Sequence, residues 1–158
     1  MLREGKSVAL VSDAGTPGIS DPGVLLVSRV REALLGVKVI AVPGASALTA
    51  TVSAAGIPAS EFVFLGFLPH KKGRETLFKE MAVSARVTVF YESVHRFMKT
   101  LASLKEHCGA ERTIAVAREL TKVFEETRVG AVGELLEHYE SHPDTVRGEF
   151  VIMVAPQG

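Results

Sequence analysis

Short apolar runs of about five residues recur along the chain, and most are followed by a stretch whose apolar residues return at helical spacing. "SVALV" (7–11) reads as a buried strand, and "VLLVSRVREALL" (24–35) as a helix with Arg29, Arg31 and Glu32 on its outer face. "KVIAV" (38–42) reads as the next strand. "PGASALTATVSAAG" (43–56) reads as a short helix of small residues, with Ser46 as its N-cap and Gly56 at its end. This β-loop-α-β-α order predicts a parallel sheet covered by helices.

After 57–60 the alternation resumes. Strands are expected at 62–67, 87–91, 113–117 and 149–155, an edge strand at 124–130, and helices at 73–84, 94–107 and 131–139. The expected boundary leaves residues 1–58 in one α/β domain and 59–158 in a second with a mixed sheet. Two strands and two helices cannot make an independent open sheet, so the first domain is expected to be truncated at its front.

Composition narrows the function classes. The chain has 158 residues, 47% of them hydrophobic, enough for one sizeable core. One cysteine, Cys108, permits neither an internal disulfide nor a cysteine metal cluster, which favours a cytoplasmic protein. No apolar run reaches the roughly 18 residues of a membrane span. The histidines show no H-E-x-x-H spacing, so no metal is expected, and there is no P-loop or G-x-G-x-x-G pattern. Glu125 and Glu126 are adjacent and would face opposite sides of a strand, which argues against a paired-carboxylate hydrolase.

Eighteen basic residues balance eighteen acidic ones, but unevenly: residues 70–122 hold eleven basic against six acidic, and 123–158 hold two against seven. The middle segment can meet an anionic partner such as RNA, or can be a solvated face paired with the acidic end. Lys71, Lys72 and Arg74 are its first candidates for phosphate contact.

The loop "SDAGTPGISDPG" (12–23) leaves the first strand at its carboxyl end, where open α/β sheets bind ligands. Gly15, Gly18 and Gly23 allow close approach or positive φ, Pro17 and Pro22 hold one shape, and Asp13 is placed to accept hydrogen bonds from a ligand hydroxyl or amine. The alternative is a tight turn that caps the next helix through Asp21. "FYESVHR" and "ARELTK" end later strands with ionisable residues. Helix capping by Glu92 and Ser93, and an internal salt bridge among Arg118, Glu119 and Lys122, are their alternatives.

Six ordered stretches, "VALVSDAGTPGISDPG", "VPGASALTA", "FLGFLP", "FYESVHR", "ARELTKVFEE" and "GEFVIMV", resemble the rRNA small subunit methyltransferase I family of the tetrapyrrole methylase superfamily. The resemblance spans about Gly5 to Val154. It implies two α/β domains of the tetrapyrrole methylase type around an S-adenosylmethionine site, and methylation of a cytidine ribose 2′-hydroxyl in 16S rRNA. It further implies a homodimer with small ribosomal subunit RNA as partner, and a family front segment that this sequence lacks.

On this sequence the donor contacts fall on Ser12, Asp13, Ala14, Gly15 and Thr16, on Ser46 and Ala47, and on Leu68. Glu92, His95 and Arg96 become candidates for proton removal and phosphate grip, and Arg118, Glu119 and Lys122 for substrate contact. A tetrapyrrole (precorrin-type) methylase and an inactive donor-binding fragment are the alternatives.

Overall fold

A computed structural model describes residues 1–158, which form two compact units, Met1–Ser46 and Ala47–Gly158. The division falls ahead of the boundary expected near residue 58, because residues 47–57 pack with the later part of the chain.

The first unit contains one α-helix, α1 (Val24–Ala33), whose single buried residue is Val30. Residues 7–11 and 38–42, expected as strands, have no regular secondary structure and join no ladder. The physical reason is that a strand is completed by a neighbour: its N–H and C=O groups need a paired edge, and the two segments do not pair with each other. Val11, Ile40 and Val42 stay largely exposed, at 82%, 76% and 81%. Helix α1 is N-capped by Gly23 without a side-chain bond, so Asp21 is not its cap.

The second unit is a five-stranded sheet of β1 (Phe62–Phe67), β2 (Val87–Ser93), β3 (Thr113–Arg118), β4 (Glu126–Ala131) and β5 (Glu149–Val154), in the order β1-β2-β5-β3-β4. Only β1 and β2 are parallel; β5 lies antiparallel between β2 and β3, and β4 closes the far edge antiparallel to β3. Helices α3 (Arg74–Val83), α4 (Val94–Cys108) and α5 (Val132–Ser141) cover one face. Their buried residues, among them Phe78, Phe97, Leu101, Leu104 and Leu136, meet Phe90, Val116, Phe150 and Ile152 of the sheet.

The opposite face carries Val89, Ala115, Ala117, Val151 and Met153 and is covered in part by α2 (Ala47–Ala54) and the Ala55–Ile57 segment. β2, β3 and β5 are therefore buried on both faces. That explains their unbroken apolar runs, where a half-exposed strand would alternate. The expected strand and helix positions in this unit agree with those observed to within two residues at nearly every end.

Candidate functional site

Because β5 runs against its neighbours, the carboxyl ends of β2 and β3 meet the amino end of β5 at one edge of the sheet. Glu92 lies opposite Phe150, Phe150 opposite Arg118, and Arg118 opposite Glu126. Directly opposed residues share a face, so these four form a row across the sheet on the side covered by α3, α4 and α5. Glu92 and Arg118 each continue, two residues on, the apolar alternation of Phe90 and Val116. Their Cα atoms are separated by two strand spacings, about 10 Å.

Glu92 is wholly buried, and a buried carboxylate persists only when its oxygens are fully paired. Here Oε1 accepts from the Arg96 guanidinium at 2.8 Å and from the Ser93 backbone N–H at 2.9 Å. Oε2 accepts from Arg74 at 2.9 Å and from the Thr100 hydroxyl at 2.8 Å. The two arginines also reach back to the turn after β1: Arg96 Nη1 donates to the Leu68 carbonyl at 2.8 Å and Arg74 Nη1 to the Pro69 carbonyl at 3.2 Å. Arg74 further lies 5.3 Å from the Phe78 ring centroid, within cation–π range.

This arrangement bears on two expectations. The Thr100 hydroxyl lies as near the Arg96 carbonyl, also at 2.8 Å, but both Glu92 oxygens are occupied by guanidiniums and a backbone N–H, so the expected base is engaged inside the protein. Arg74 is an internal structural cation and not a surface phosphate contact. Ser93 occupies the N-cap position of α4 but makes no side-chain cap bond. Of the "FYESVHR" residues expected to react, His95 alone is exposed and makes no hydrogen bond or ion pair.

At the other end of the row, Arg118 Nε donates to Glu126 Oε2 at 2.8 Å and Arg128 to Glu126 Oε1 at 2.7 Å. Burial alone would raise the Glu126 carboxyl, but the hydrogen bonds from Arg118 and Arg128 outweigh it and hold the group below the usual carboxylate range. Lys122 Nζ pairs with Glu119 Oε1 at 2.9 Å. Arg118, Glu119 and Lys122 are therefore engaged in internal pairs, the alternative the sequence had left open.

Glu119 and Thr121 adopt positive φ, 50° and 68°, in the turn that leads to β4. Gly148, with φ 77°, leaves room for the Glu119 side chain, since a Cβ there would collide with Glu119 Oε1. The turn displays Val123 and Phe124, 92% and 70% exposed.

Leu68 is 1% exposed and belongs to the core under α3 and α4, so its side chain cannot line a ligand surface. Ala47 packs at the opposite face of the sheet and accepts the Thr51 hydroxyl at its carbonyl, 2.8 Å away. That face also carries residues which sequence reasoning passed over: Tyr91 meets Phe64 and Phe67 edge-on, with centroids 5.0 and 5.4 Å apart. The signal was present as three aromatics around "FVFLGF" and "FYES", but their convergence depends on the β1–β2 register.

In the first unit the loop 12–16 closes on itself and on residue 45. The Ser12 hydroxyl donates to the Gly15 carbonyl at 3.0 Å, and the Thr16 hydroxyl to the Ala45 carbonyl at 3.4 Å. Gly15 has φ 72°, and a Cβ there would lie 3.7 Å from the Ala45 carbonyl oxygen. The loop thus brings Ser12, Asp13, Ala14, Gly15 and Thr16 beside the segment that ends at Ser46. Asp13 is exposed and makes no hydrogen bond or ion pair, so its carboxylate is available to a ligand. No three histidine, cysteine or acidic side chains lie together as a metal-binding group. No helix is long and apolar enough to cross a membrane.

An α/β unit with helices on both faces of a mixed sheet, and a glycine-rich loop beside an exposed carboxylate, agree with the family match. Residues 1–136 match the tetrapyrrole (corrin/porphyrin) methylase model, and the chain belongs to that family. Within it, the chain is similar to ribosomal RNA small subunit methyltransferase I of Pseudomonas aeruginosa, 44% identical over 155 residues, covering 98% of this chain and 54% of the relative.

The protein of that name from Thermotoga maritima is 48% identical over 141 residues, covering 89% of this chain and 62% of the relative. The chain spans about half the length of the curated relatives it matches. Among solved structures it resembles the methyltransferase CobJ, with TM-score 0.62 and 23% identity over 90% of this chain and 62% of that one. It also resembles a uroporphyrin-III C-methyltransferase from Thermus thermophilus complexed with S-adenosyl homocysteine, with TM-score 0.57 and 18% identity over 89% and 62%.

Proposed function

We propose that this chain is part of an S-adenosylmethionine-dependent methyltransferase that modifies the ribose 2′-hydroxyl of a cytidine in 16S rRNA. The observation that carries the reading is 44% identity across nearly the whole chain to proteins named ribosomal RNA small subunit methyltransferase I. A cytoplasmic homodimer acting on the small subunit follows from the same reading.

The donor would be held by the loop Ser12, Asp13, Ala14, Gly15 and Thr16 with Ser46. Asp13 supplies an acceptor for hydroxyl or amine hydrogens, and the Gly15 backbone can approach closely because it carries no Cβ. S-adenosylmethionine supplies, when bound, an electrophilic methyl group on a sulfonium with a good leaving group. The part left to the protein would be to hold donor and ribose in line, and such alignment can supply much of the rate.

A 2′-hydroxyl is a weak nucleophile and needs its proton taken. Of the three expected catalytic residues His95 carries that role in this proposal, because Glu92 and Arg96 are committed to each other. Arg118, Glu119 and Lys122 shape the substrate side of the edge through their pairing.

Labelled methyl transfer to small ribosomal subunits, with 2′-O-methylcytidine as product, tests the reading. Label that appears in a precorrin and not in RNA overturns it in favour of a tetrapyrrole methylase. His95→Ala is expected to lower kcat by about 10²–10⁴. Asp13→Ala is expected to weaken S-adenosylhomocysteine binding by about 1–3 kcal/mol in titration calorimetry. Unchanged binding by a folded variant removes this loop from the donor site.

A further inference from the structure

The turn between β1 and α3 carries Lys71 and Lys72, both exposed and without an ion-pair partner, next to exposed His70. Its β1 end is held at two successive residues, since Leu68 and Pro69 give their carbonyls to Arg96 and Arg74 at 2.8 and 3.2 Å. Those guanidiniums are in turn held by one carboxylate, Glu92. The Arg74 backbone N–H closes the turn onto the Lys71 carbonyl at 3.2 Å. His95 and Lys99, also exposed and unpaired, stand one turn apart on α4, whose Arg96 grips the same segment.

A solvated lysine pair needs no such support. From this geometry we infer that Glu92 is a positioning residue: through Arg74 and Arg96 it holds the 68–73 turn in one shape, so that Lys71 and Lys72 meet the phosphate backbone of a single RNA strand. The inference rests on the rRNA methyltransferase reading for the identity of the anion. The hub itself is turned inward: its guanidiniums bond Glu92, Thr100, Ser93 and the two carbonyls, and the two side chains are only 11% and 17% exposed. What it supplies is preorganisation, which removes the cost of ordering the loop when the strand binds. Two arginines around one carboxylate also leave a net positive charge beneath the turn, which adds a long-range attraction for the same partner.

The test uses the full 158-residue chain and a short single-stranded oligoribonucleotide. Lys71→Ala combined with Lys72→Ala is expected to lower the slope of log affinity against log salt by roughly 0.7 for each lysine. Glu92→Gln keeps the side-chain shape but loses the charge. It is expected to speed amide exchange at 70–74 by about tenfold or more and to weaken RNA binding about threefold to tenfold, with no loss of a pH limb in methyl transfer.

Unchanged exchange at 70–74 in Glu92→Gln overturns the positioning role, and so does loss of a pH limb, which would mark a base. An unchanged salt slope in the lysine variant overturns the phosphate contact. If methyl transfer to subunits persists alongside that unchanged slope, the methyltransferase reading stands and this inference falls. Should Glu92→Gln fail to fold, Thr100→Val removes a hydroxyl from the same hub without touching its charges, and the exchange at 70–74 then decides by the same criterion.

Discussion

The carboxylates of two Arg–Glu–Arg groups stand on one row of the same sheet, and they live under different physics. In Arg74–Glu92–Arg96 the carboxylate has no solvent exposure and the guanidinium side chains only 11% and 17%; in Arg118–Glu126–Arg128 the corresponding figures are 19%, 10% and 42%. The first sits on β2 beneath α3 and α4, the second on edge strand β4 where water competes. In the first, charge pairing compensates a desolvation penalty and the value lies in holding one geometry. In the second, pairing is worth less and is screened by salt.

The sharpest way to break this comparison is to remove each carboxylate. Glu92→Leu leaves two buried guanidiniums without their partner and is expected to cost about 3–5 kcal/mol of stability in denaturant unfolding. Equal losses in Glu92→Leu and Glu126→Leu would mean that burial does not separate the groups.

Tyr139 probes the space between them. It packs edge-on to Phe97, which stacks on Phe150 of the row, and its buried hydroxyl has no hydrogen-bond partner. Burial, reinforced by the Glu126 charge, pushes its phenol up to about 12. A raised folded value means that the unfolded chain loses this proton first. Stability is therefore intact below about pH 10 and falls as pH rises toward 12, by about 2–3 kcal/mol in all. Tyr139→Phe is expected to abolish that alkaline loss and, by deleting an unpaired hydroxyl, to leave the protein as stable or about 1 kcal/mol more stable at neutral pH. Urea midpoints at pH 7, 10 and 12 would register both effects.

Glu126 gives the acid counterpart. Its folded pKa is depressed by Arg118 and Arg128 against the effect of burial, so the stability it contributes is present above the ordinary carboxylate range and is lost as pH falls through its lowered value. Glu126→Gln should flatten the acid limb below about pH 4.5 and cost about 1–2 kcal/mol at neutral pH. A limb of undiminished steepness would place the acid sensitivity elsewhere. The smallest change is expected from Arg128→Ala, about 0.5 kcal/mol and vanishing at high salt. A larger loss at high salt would show that this exposed arm is more than a screened pair.

How far the sequence foretold these features follows from what each depends on. Helices α3, α4 and α5 and all five strands of the second unit were legible from periodicity, because their apolar spacing reports directly on which face is covered. Segments 7–11 and 38–42 carry the same apolar signal yet form no ladder, since pairing is a property of two segments and no single run contains it. The residue types of the edge were legible too: Glu92, Arg96, Arg118, Glu119 and Lys122 were all singled out.

Their roles were not, because a carboxylate at a strand end looks the same whether it faces a ligand or two arginines. Arg74 lies 18 positions before Glu92, and only the parallel β1–β2 pairing and the packing of α3 on α4 bring them together. The turn that exposes Phe124 was equally hidden, its positive-φ residues Glu119 and Thr121 being types that seldom announce a left-handed bend.

The place of β5 has a consequence for how the protein is made. It enters the sheet between β2 and β3, both of which leave the ribosome before it. Until β5 emerges, β2 and β3 each present an unpaired inner edge rich in valine, isoleucine and phenylalanine, a state that invites pairing with other nascent chains. The two ionic groups cannot be joined into one row in that interval either, because Phe150 is the plank between Glu92 and Arg118. Sheet and edge are therefore completed in one late, long-range step. A ribosome stalled just short of "EFVIMV" would hold a half-sheet with the two ends of its charged row still apart.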